Sequence, residues 1–513
     1  FGSTFKGQGG AVVADQPYTN PASVMSTIMG EWSHDGLSEI ASIDASASGP
    51  IVTLWSGDIS LAVGSEYRRE KFADTRPPFV GVNPPGSGLD PTDNDIIVSS
   101  PRLDNFGDRT VTSVYAETVI PLVAPKNDIP LMKSSEFTAS ARHERYNDFG
   151  NTTKPKVGVN WKPFTTVMVR ASFNEGFTAP SLPVLHQPSQ FGTNLLGEID
   201  TYRNVVTNEG TYLMRSFSTG NPGLKPTNSK GKTAGVVFDV PKVAGLSLSA
   251  DYWEIRQTDI IGSLSSAQVK DSDAALLTAY TNQQLTAGVP INSIDAGSGT
   301  AAYKGDPAVT RFTPTAADIA VFTAYNAANP GNRRAVVGQI FSYFTPNQNL
   351  AEGYARGLDF ELKYSMPEIP IGKVMLDSEW SYLSRSYTIQ TLPNTAPVYA
   401  EVANVNGSAR WRGTTTASWR KGRWSGGLSA YYIGSFADSG ATTTAAVYQS
   451  LGRPSYIVQM FNAGSLVYRY RVSDSLTFNA FVGYRFGSGT NRWLRNSSVR
   501  AGVINLKDTK PPF

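Results

Sequence analysis

The clearest feature of the chain is a strict alternation of apolar and polar residues over long stretches. From Asn404 to Arg420, one set of alternate positions is mostly apolar or small, and the other set is polar or charged. Successive side chains of a β-strand point to opposite faces, so this pattern predicts one strand with an apolar face and a polar face. The stretch is longer than the commonest strands of soluble domains, about 5–6 residues. It reaches the roughly 9–11 residues that a tilted strand needs to cross a bilayer.

The same period of two recurs along the chain and is clearest at residues 59–68, 167–174, 358–366, 374–382 and 476–486. Aromatic residues lie near the ends of the apolar faces, as an interfacial belt requires; examples are Trp411, Trp419, Trp424 and Tyr432. On this register we expect Ala409, Trp411 and Ala417 to face lipid. The pattern predicts an all-β protein, a transmembrane antiparallel β-barrel with about fourteen strands between Leu37 and Leu506.

The connections between these stretches come in two sizes. The short ones are Pro163–Thr166, Pro241–Gly245, Pro367–Gly372 and Lys421–Arg423. The long ones lie at about 179–229, 263–351 and 438–463. Alternation of short and long connections is typical of barrels whose strands run between a periplasmic rim and an outer rim.

Composition narrows the function more than the fold. Charged residues make up 17% of the chain and the net charge is +3, with no basic stripe that would follow phosphates, so we expect no nucleic-acid partner. Cysteine is absent, which excludes disulfides and thiolate metal sites. The three histidines, His34, His143 and His186, show no metal-ligand spacing. We therefore expect no catalytic residue, no metal site and no cofactor.

Several segments, read in order, resemble the TonB-dependent outer-membrane receptors. Those that carry the resemblance are Ser113–Glu117, Lys156–Pro163, Gly176–Leu182, Asn221–Pro226, Leu246–Trp253, Gly357–Glu361 and Gly502–Leu506. Each is mostly a strand with a turn, but their order and spacing cover most of the chain. The resemblance implies a receptor of the bacterial outer membrane.

That family has a barrel of about 22 strands, a plug domain inside it and a segment that binds TonB. The resemblance implies that residues 1–513 are one barrel domain, with roughly strands eight to twenty-one. We expect it to be truncated at both ends and to lack the plug, because no plug segment is recognisable and Phe513 follows Pro511 and Pro512. TonB and the plug are then partners in the full-length protein, and outer-membrane lipid surrounds it.

Charged residues on the polar faces of three neighbouring strands are the first candidate site. They are Asp359, Glu361, Asp377, Glu379, Arg410, Arg412 and Arg420. One interpretation is a charge network that holds the plug, with acid on two strands and base on the third. The other is ordinary solvation of a wide lumen, whose walls are polar in any case.

The loop at 263–351 is the second candidate site. Two stretches with helical periodicity, Asp273–Tyr280 and Ala316–Ala328, predict short helices within it. Its aromatic residues offer ring faces for a sugar or an organic chelate: Tyr280, Tyr303, Phe322, Tyr325, Phe341, Tyr343 and Phe344. The same residues could equally form the core of the loop.

These features together predict an energised importer that takes up a scarce, bulky nutrient such as a siderophore, cobalamin or a glycan. Two alternatives stay open. A passive porin would share the barrel but would be complete without a plug. A secreted carbohydrate-binding β-protein would need a cleft with carboxylates or aromatic platforms, and no alternation this long.

Overall fold

A computed structural model describes residues 5–6, 12–14, 22–30, 32–90, 94, 96, 101–193, 197–391, 397–462, 465–487 and 493–510. Pro511, Pro512 and Phe513, on which the expected truncation was argued, lie outside the described residues. The helices are α1 (Ala22–Ile28), α2 (Leu182–His186), α3 (Thr201–Thr207), α4 (Ser266–Thr286), α5 (Ala316–Ala328) and α6 (Ala445–Ser450).

The strands are, in chain order, β1 (Phe5–Lys6), β2 (Val12–Ala14), β3 (Asp35–Leu54), β4 (Gly57–Thr75), β5 (Asn105–Val123), β6 (Ser134–Tyr146), β7 (Gly150–Phe164), β8 (Val167–Thr178), β9 (Gln190–Thr193), β10 (Glu198–Ile199), β11 (Thr211–Tyr212), β12 (Arg215–Ser218), β13 (Thr227–Asp239), β14 (Leu246–Ser263), β15 (Val309–Arg311), β16 (Ile340–Phe344), β17 (Asn347–Ser365), β18 (Lys373–Gln390), β19 (Val398–Glu401), β20 (Trp411–Lys421), β21 (Trp424–Ile433), β22 (Phe436–Thr443), β23 (Ile457–Asn462), β24 (Ser465–Val472), β25 (Ser475–Arg485) and β26 (Ser498–Val503).

One long antiparallel sheet, the main sheet, dominates the described residues. Its strand order is β3-β4-β5-β6-β7-β8-β13-β14-β17-β18-β20-β21-β25-β26, and the short β19 pairs with one end of β18. Strands that follow one another along this path are neighbours in the sheet, apart from the small strands within the loops. This meander is the topology of an up-and-down barrel wall.

The main sheet has an apolar outer face and a polar inner face. Across β18, β20 and β21, Leu376, Ala417 and Leu428 share one row of the outer face, while Asp377, Thr416 and Ser429 share the next row on the inner face. Several large apolar side chains on the outer face are between 42% and 53% exposed: Val63, Val114, Val236, Leu428 and Val482. A surface this apolar is stable in water only when something covers it, and lipid does so around a barrel.

Two groups of aromatic side chains lie on the outer face near opposite ends of the strands. On β20, the ring of Trp411 lies 4.7 Å from that of Tyr382, while Trp419 is eight positions further along the same strand. Beside Trp419, the rings of Trp424 and Tyr484 are 4.8 Å apart. Their separation along the strand agrees with the predicted interfacial belts.

The strand predicted from Asn404 to Arg420 is wrong over its first part. β20 begins at Trp411, and residues 402–410 form turns in which Asn404 and Asn406 have positive φ. Ala409 is only 3% exposed and packs in this turn region, so it does not face lipid. Asparagine accepts the left-handed conformation more easily than most residues, which explains why the alternation here does not continue the strand.

The connections lie on two rims of the main sheet. The turn rim holds the short ones, such as residues 165–166, 240–245, 366–372 and 422–423. The loop rim holds residues 76–104, 179–226, 264–346, 391–410 and 434–474. Residues 434–474 form their own three-stranded sheet, β22-β24-β23. The predicted alternation fails between β6 and β7, because residues 147–149 make a short turn on the loop rim.

Within the described residues, no helix combines the length and the apolarity that a membrane-crossing helix needs.

Candidate functional site: the paired loops and the inner wall

The two longest connections of the loop rim fold together. We call residues 197–226 and 264–346 the paired loops. The first connection contributes β12 and the second β16, and these two strands pair in parallel, with Ser216 opposite Tyr343. β9 and β15 complete a four-stranded sheet of order β15-β16-β12-β9. Backbone pairing between the connections makes them one folded unit.

The paired loops enclose a hydrophobic core of their own. Tyr202 on α3, Leu277 on α4 and Phe322 on α5 are completely buried, and the rings of Tyr202 and Phe322 stack with centroids 6.4 Å apart. The two long helices begin at capping boxes, formed by Ser265 with Gln268 and by Thr315 with Asp318. Both predicted helices are therefore confirmed, and α4 is longer than its predicted span.

A buried ion cluster joins the two connections. Arg311 of the second connection donates from Nη1 to Asp200 Oδ2 at 2.6 Å and from Nη2 to Asp273 Oδ2 at 2.7 Å. All three side chains are at most 1% exposed. Asp200, from the first connection, also caps α3 by accepting from the backbone N–H groups of Tyr202 and Arg203. One guanidinium thus holds a helix start of the first loop against α4 of the second.

The electrostatics of the cluster separate its two carboxylates. Burial opposes the charged form of Asp200, but the charge and hydrogen bonds of Arg311 outweigh it and lower the pKa of Asp200 below its usual value. At Asp273 burial dominates and raises the pKa, in spite of the charge of Arg311 and the hydroxyl of Tyr303, which donates at 2.6 Å. Removing Arg311 would leave both carboxylates buried without a cation.

Three further ion pairs reinforce the contact between helices and strands of the paired loops. Arg203, 3% exposed, binds Glu209 at 3.1 Å and Asp318 at 2.8 Å. Lys270 on α4 binds Glu198 at 2.5 Å, and Glu198 also accepts from the hydroxyl of Tyr343 at 2.6 Å. Burial and the neighbouring Glu198 raise the pKa of Tyr343 to about 12. The paired loops are built as a rigid platform.

Most of the seven predicted aromatic residues serve the internal packing of the loops. Phe322 and Tyr343 are 0% and 3% exposed. The hydroxyls of Tyr280 and Tyr303 donate to the Asp295 carbonyl and to Asp273. Tyr325 accepts from the side-chain amide of Asn332 at 3.1 Å. The structure does not gather these five rings around one cavity.

Two of the seven, Phe341 and Phe344, are 37% and 38% exposed and belong to aromatic pairs. Phe341 meets Phe312 edge to face at 5.1 Å, and the guanidinium of Arg215 lies 5.4 Å from its ring centre. Phe344 stacks on Phe217 at 5.3 Å. Sequence analysis missed Phe312, Phe217 and Arg215. Phe312 directly follows β15 and the other two lie on β12, and these strands pair with β16 only in the folded chain.

The four predicted carboxylates lie on the inner face, in register with one another. Asp359 is opposite Ser381 and Glu361 is opposite Glu379. Asp377 is opposite Lys363 and therefore lies diagonally across from Glu361. Oxygens of Glu361, Asp377 and Glu379 come within 4.8 Å of one another. These three groups are exposed or half-buried, as on a hydrated wall, and we assign no metal to them.

The predicted arginines do not pair with these carboxylates in the described residues. Arg412 and Arg420 share the inner face with them, but Arg410 lies before β20 and donates to the Ser384 carbonyl at 2.6 Å. Asp359 instead accepts from the Ser381 hydroxyl at 2.6 Å, and Glu361 pairs with Lys363. The expected network of acid on two strands and base on the third is therefore not present in this form.

A different ion pair crosses the inner wall nearby. Arg170 on β8 binds Asp251 on β14 through two bonds of 2.8 and 2.6 Å, over the intervening strand β13. Gly235 of β13 lies between them, and a Cβ there would come 1.9 Å from Asp251 Oδ1. The absence of a side chain at Gly235 leaves room for the bidentate ion pair. The spacing of residues along the sequence does not predict this pair, because its two members lie on different strands.

The inner face near the loop rim of β4–β6 carries a denser network. Arg142 binds Glu66 at 2.5 Å, and Arg68 binds Glu66 and Glu70 at 2.9 and 2.7 Å. Beside it the buried Arg109 donates at 2.5 Å to the Pro180 carbonyl. The start of the long connection after β8 is thus fixed against the inner wall.

Comparison with known proteins agrees with this architecture. A family model described as "TonB dependent receptor-like, beta-barrel" matches residues 14–506. No curated protein matches the chain.

Solved structures share the fold. A mutant of the ferric enterobactin receptor PfeA from Pseudomonas aeruginosa is 14% identical with a TM-score of 0.52, covering 92% of this chain and 49% of that one. The siderophore receptor PirA from Acinetobacter baumannii is 14% identical with a TM-score of 0.52, covering 93% of this chain and 54% of that one. Another PfeA mutant, in complex with enterobactin, is 13% identical with a TM-score of 0.51, covering 92% of this chain and 49% of that one. The chain spans about half the length of these proteins.

Proposed function

Because the chain belongs to the TonB-dependent receptor-like β-barrel family, we propose that it forms part of the barrel of a bacterial outer-membrane importer. In the full-length protein this importer takes up a scarce, bulky nutrient, and TonB supplies the energy by acting on a plug inside the lumen. Members of the family are outer-membrane transport receptors. The specific nutrient and the roles of individual residues belong to the proposal.

The observation that carries the proposal is the rigid platform at one rim of a two-faced sheet. The paired loops have a buried core and a buried ion cluster, both features of a preformed binding surface and not of a simple tether. A passive channel needs no folded unit of this size above its mouth. The platform therefore favours a receptor that captures its ligand before transport.

A ferric siderophore is the first ligand to test. The neighbouring structures are receptors for such compounds, although 14% identity extends only to the fold. On this chain, Arg215 with the exposed rings of Phe312 and Phe341 would offer a cation and ring faces to an anionic aromatic chelate. Cobalamin and glycans are the other ligands that the fold could accommodate.

We expect uptake by the full-length protein to require TonB and the proton gradient. The test expresses it in a host whose own receptors are deleted and measures accumulation of labelled ferric siderophores, cobalamin and oligosaccharides. Accumulation of one ligand should disappear when TonB is deleted or the gradient is collapsed. Accumulation that persists in both cases would identify a passive porin, the main alternative.

Neutralising the inner carboxylates tests whether they hold the plug. We expect the Asp359→Asn/Glu361→Gln variant of the full-length protein to leak ions in planar bilayers while its barrel unfolds at an unchanged temperature. Pairs in a partly dehydrated lumen are stronger than the about 0–1 kcal/mol of exposed pairs, and lumen substitutions leave the backbone ladder intact.

The matched control for this leak is Glu368→Gln, an exposed residue in the turn between β17 and β18. It removes one negative charge outside the inner wall and should not change conductance. If the double variant is as tight as the control, the carboxylates are solvated wall residues with no role in holding the plug.

A further inference from the structure

A group of cations without carboxylate partners lies at the turn rim of β18–β26. We call Lys373, Arg420, Arg423, Arg485 and Arg500 the basic patch; all five are exposed and line one cleft. No carboxylate lines that cleft, and none of the five cations forms an ion pair within the described part of the chain. In this the basic patch differs from several other arginines of the inner face, which pair with acids: Arg68, Arg142 and Arg170.

The register of the main sheet places the cations of the patch in one row on the inner face. Lys373 is directly opposite Arg420, and Ser425, Gly483 and Arg500 continue the row across β21, β25 and β26. Like charges directly opposite one another destabilise a sheet. The pairing of Lys373 with Arg420 is therefore unfavourable in the bare wall, and an anion bound over both side chains would remove the repulsion.

The carboxylates of the inner wall are too far away to neutralise the basic patch. Asp377 and Glu379 lie four and six positions beyond Lys373 on β18. At about 3.3 Å per residue, these positions are roughly 13 and 20 Å from Lys373 along the strand. Charges separated by more than the Debye length, about 8 Å at physiological ionic strength, are largely screened from each other. The inner wall thus has a basic end at the turn rim and an acidic zone above it.

The width of the row indicates an extended partner and not a single small anion. Neighbouring strands are about 4.8 Å apart, so the four steps from Lys373 to Arg500 span roughly 19 Å. One phosphate or carboxylate group bridges neighbouring cations but does not reach both ends of the row. Ser425 and Gly483, in the middle, carry little or no side chain, so a peptide backbone can approach the wall there. A chain segment with several carboxylates therefore matches the row.

From these observations we propose that the basic patch binds an acidic segment of the plug inside the lumen. The row lies on the inner face, so its occupant comes from the lumen and not from the surrounding lipid. Guanidinium groups bind carboxylates through paired hydrogen bonds. A plug with acidic residues at the patch and basic residues at the carboxylates above it would be held in a single orientation. This inference rests on the proposed function, because that function supplies the plug.

The test couples the occupant to Lys373 in the full-length protein. A carbodiimide joins an amine directly to a carboxylate in contact with it, and mass spectrometry of the resulting peptides identifies the acidic partner. We expect Lys373 to be joined to an aspartate or glutamate of the plug. Arg420→Glu/Arg485→Glu/Arg500→Glu should lower the yield of this product about tenfold, which corresponds to a loss of about 1.4 kcal/mol. Arg485→Gln/Arg500→Gln should lower it in the same direction and replaces the triple variant if that variant does not fold.

The matched control is Lys126→Glu/Lys162→Glu/Lys242→Glu, which reverses three exposed charges at the same rim outside the basic patch. The yield of the product from Lys373 should not change in this control. Heat-modifiable migration on a gel checks the folding of every variant.

Three outcomes would overturn the proposal. The first is coupling of Lys373 only to Glu368 of the adjacent turn, or to no carboxylate at all. The second is an equal yield in the unmodified protein and in both patch variants. The third is loss of the product in millimolar inorganic phosphate but not in sodium chloride of the same ionic strength, which would assign the patch to a soluble anion. Uptake that continues without TonB contradicts the proposed function but does not change the coupling result, so the two failures are distinguishable.

Discussion

Replacing Arg311 with methionine is expected to unfold the paired loops and leave the main sheet intact. The substitution keeps much of the side-chain volume but leaves Asp200 and Asp273 buried without their cation. Breaking a buried ion pair by removing one partner costs about 3–5 kcal/mol. Hydrogen exchange of the purified full-length protein should show loss of protection in residues 197–226 and 266–343, with unchanged protection in β4–β8.

The control separates the effect of the charge from that of the packing. Arg333→Met changes an arginine of the same loop that makes no ion pair in the described residues, and it should leave exchange unchanged. Combining Arg311→Met with Asp200→Asn and Asp273→Asn removes all three charges, which should recover much of the lost protection. If the triple variant is as unprotected as the single one, the role of Arg311 is packing and our electrostatic explanation is wrong.

The alternation of apolar and polar residues was sufficient to predict the strands of the main sheet. In a strand with one face in lipid and one in water, every position must be apolar or polar according to the face on which it lies. Of the predicted stretch 358–366, all but the last residue lies in β17, and 374–382 lies in β18, with the predicted faces. The stretch 476–486 covers most of β25. When lipid lies on one side of the sheet and water on the other, the local sequence alone determines which side chains face inward and which face outward. The helices α4 and α5 were predicted for a related reason, since their periodicity is also local.

The same reasoning failed where alternation arose from turn chemistry. Asn404 and Asn406 alternate with apolar or small residues just as strand residues do, but their positive φ belongs to turns. Period alone does not distinguish an asparagine that faces water from one that turns the chain. The missing information is the pairing partner, and β18 pairs with β20 only from Trp411 onward.

The candidate site was less predictable because its contacts join distant parts of the chain. Asp200 and Arg311 are 111 positions apart, and Asp273 and Arg311 are 38 apart. Sequence analysis identified the aromatic residues of the second loop but could not decide between ligand contact and core. That choice depends on the first loop, which covers Phe322 with Tyr202 and leaves Phe341 beside Arg215. Whether an aromatic residue of the second loop is buried or exposed therefore depends on contacts with the first loop.

The second large effect concerns the membrane-facing register of β20. Ala417 lies five residues before the turn at residue 422, and its neighbours across the sheet are Leu376 and Leu428. At about 3.3 Å per residue and a tilt near 45°, this places it roughly 12 Å above the turn. The apolar band of a barrel is about 25 Å tall, so Ala417 lies close to its midplane.

Ala417→Arg is therefore expected to destabilise the folded barrel by about 2–4 kcal/mol, measured by reversible denaturant unfolding in lipid vesicles. Ser418→Arg is the matched control on the next position of the same strand. Its neighbours across the sheet are Met375 and Gly427 on the inner face, where an arginine stays hydrated and should cost little. Successive side chains of a strand point to opposite faces of the sheet. The two variants must therefore differ in their free energy of unfolding if the outer face meets lipid. Equal destabilisation by both would contradict the register, and with it the assignment of the apolar face to the membrane.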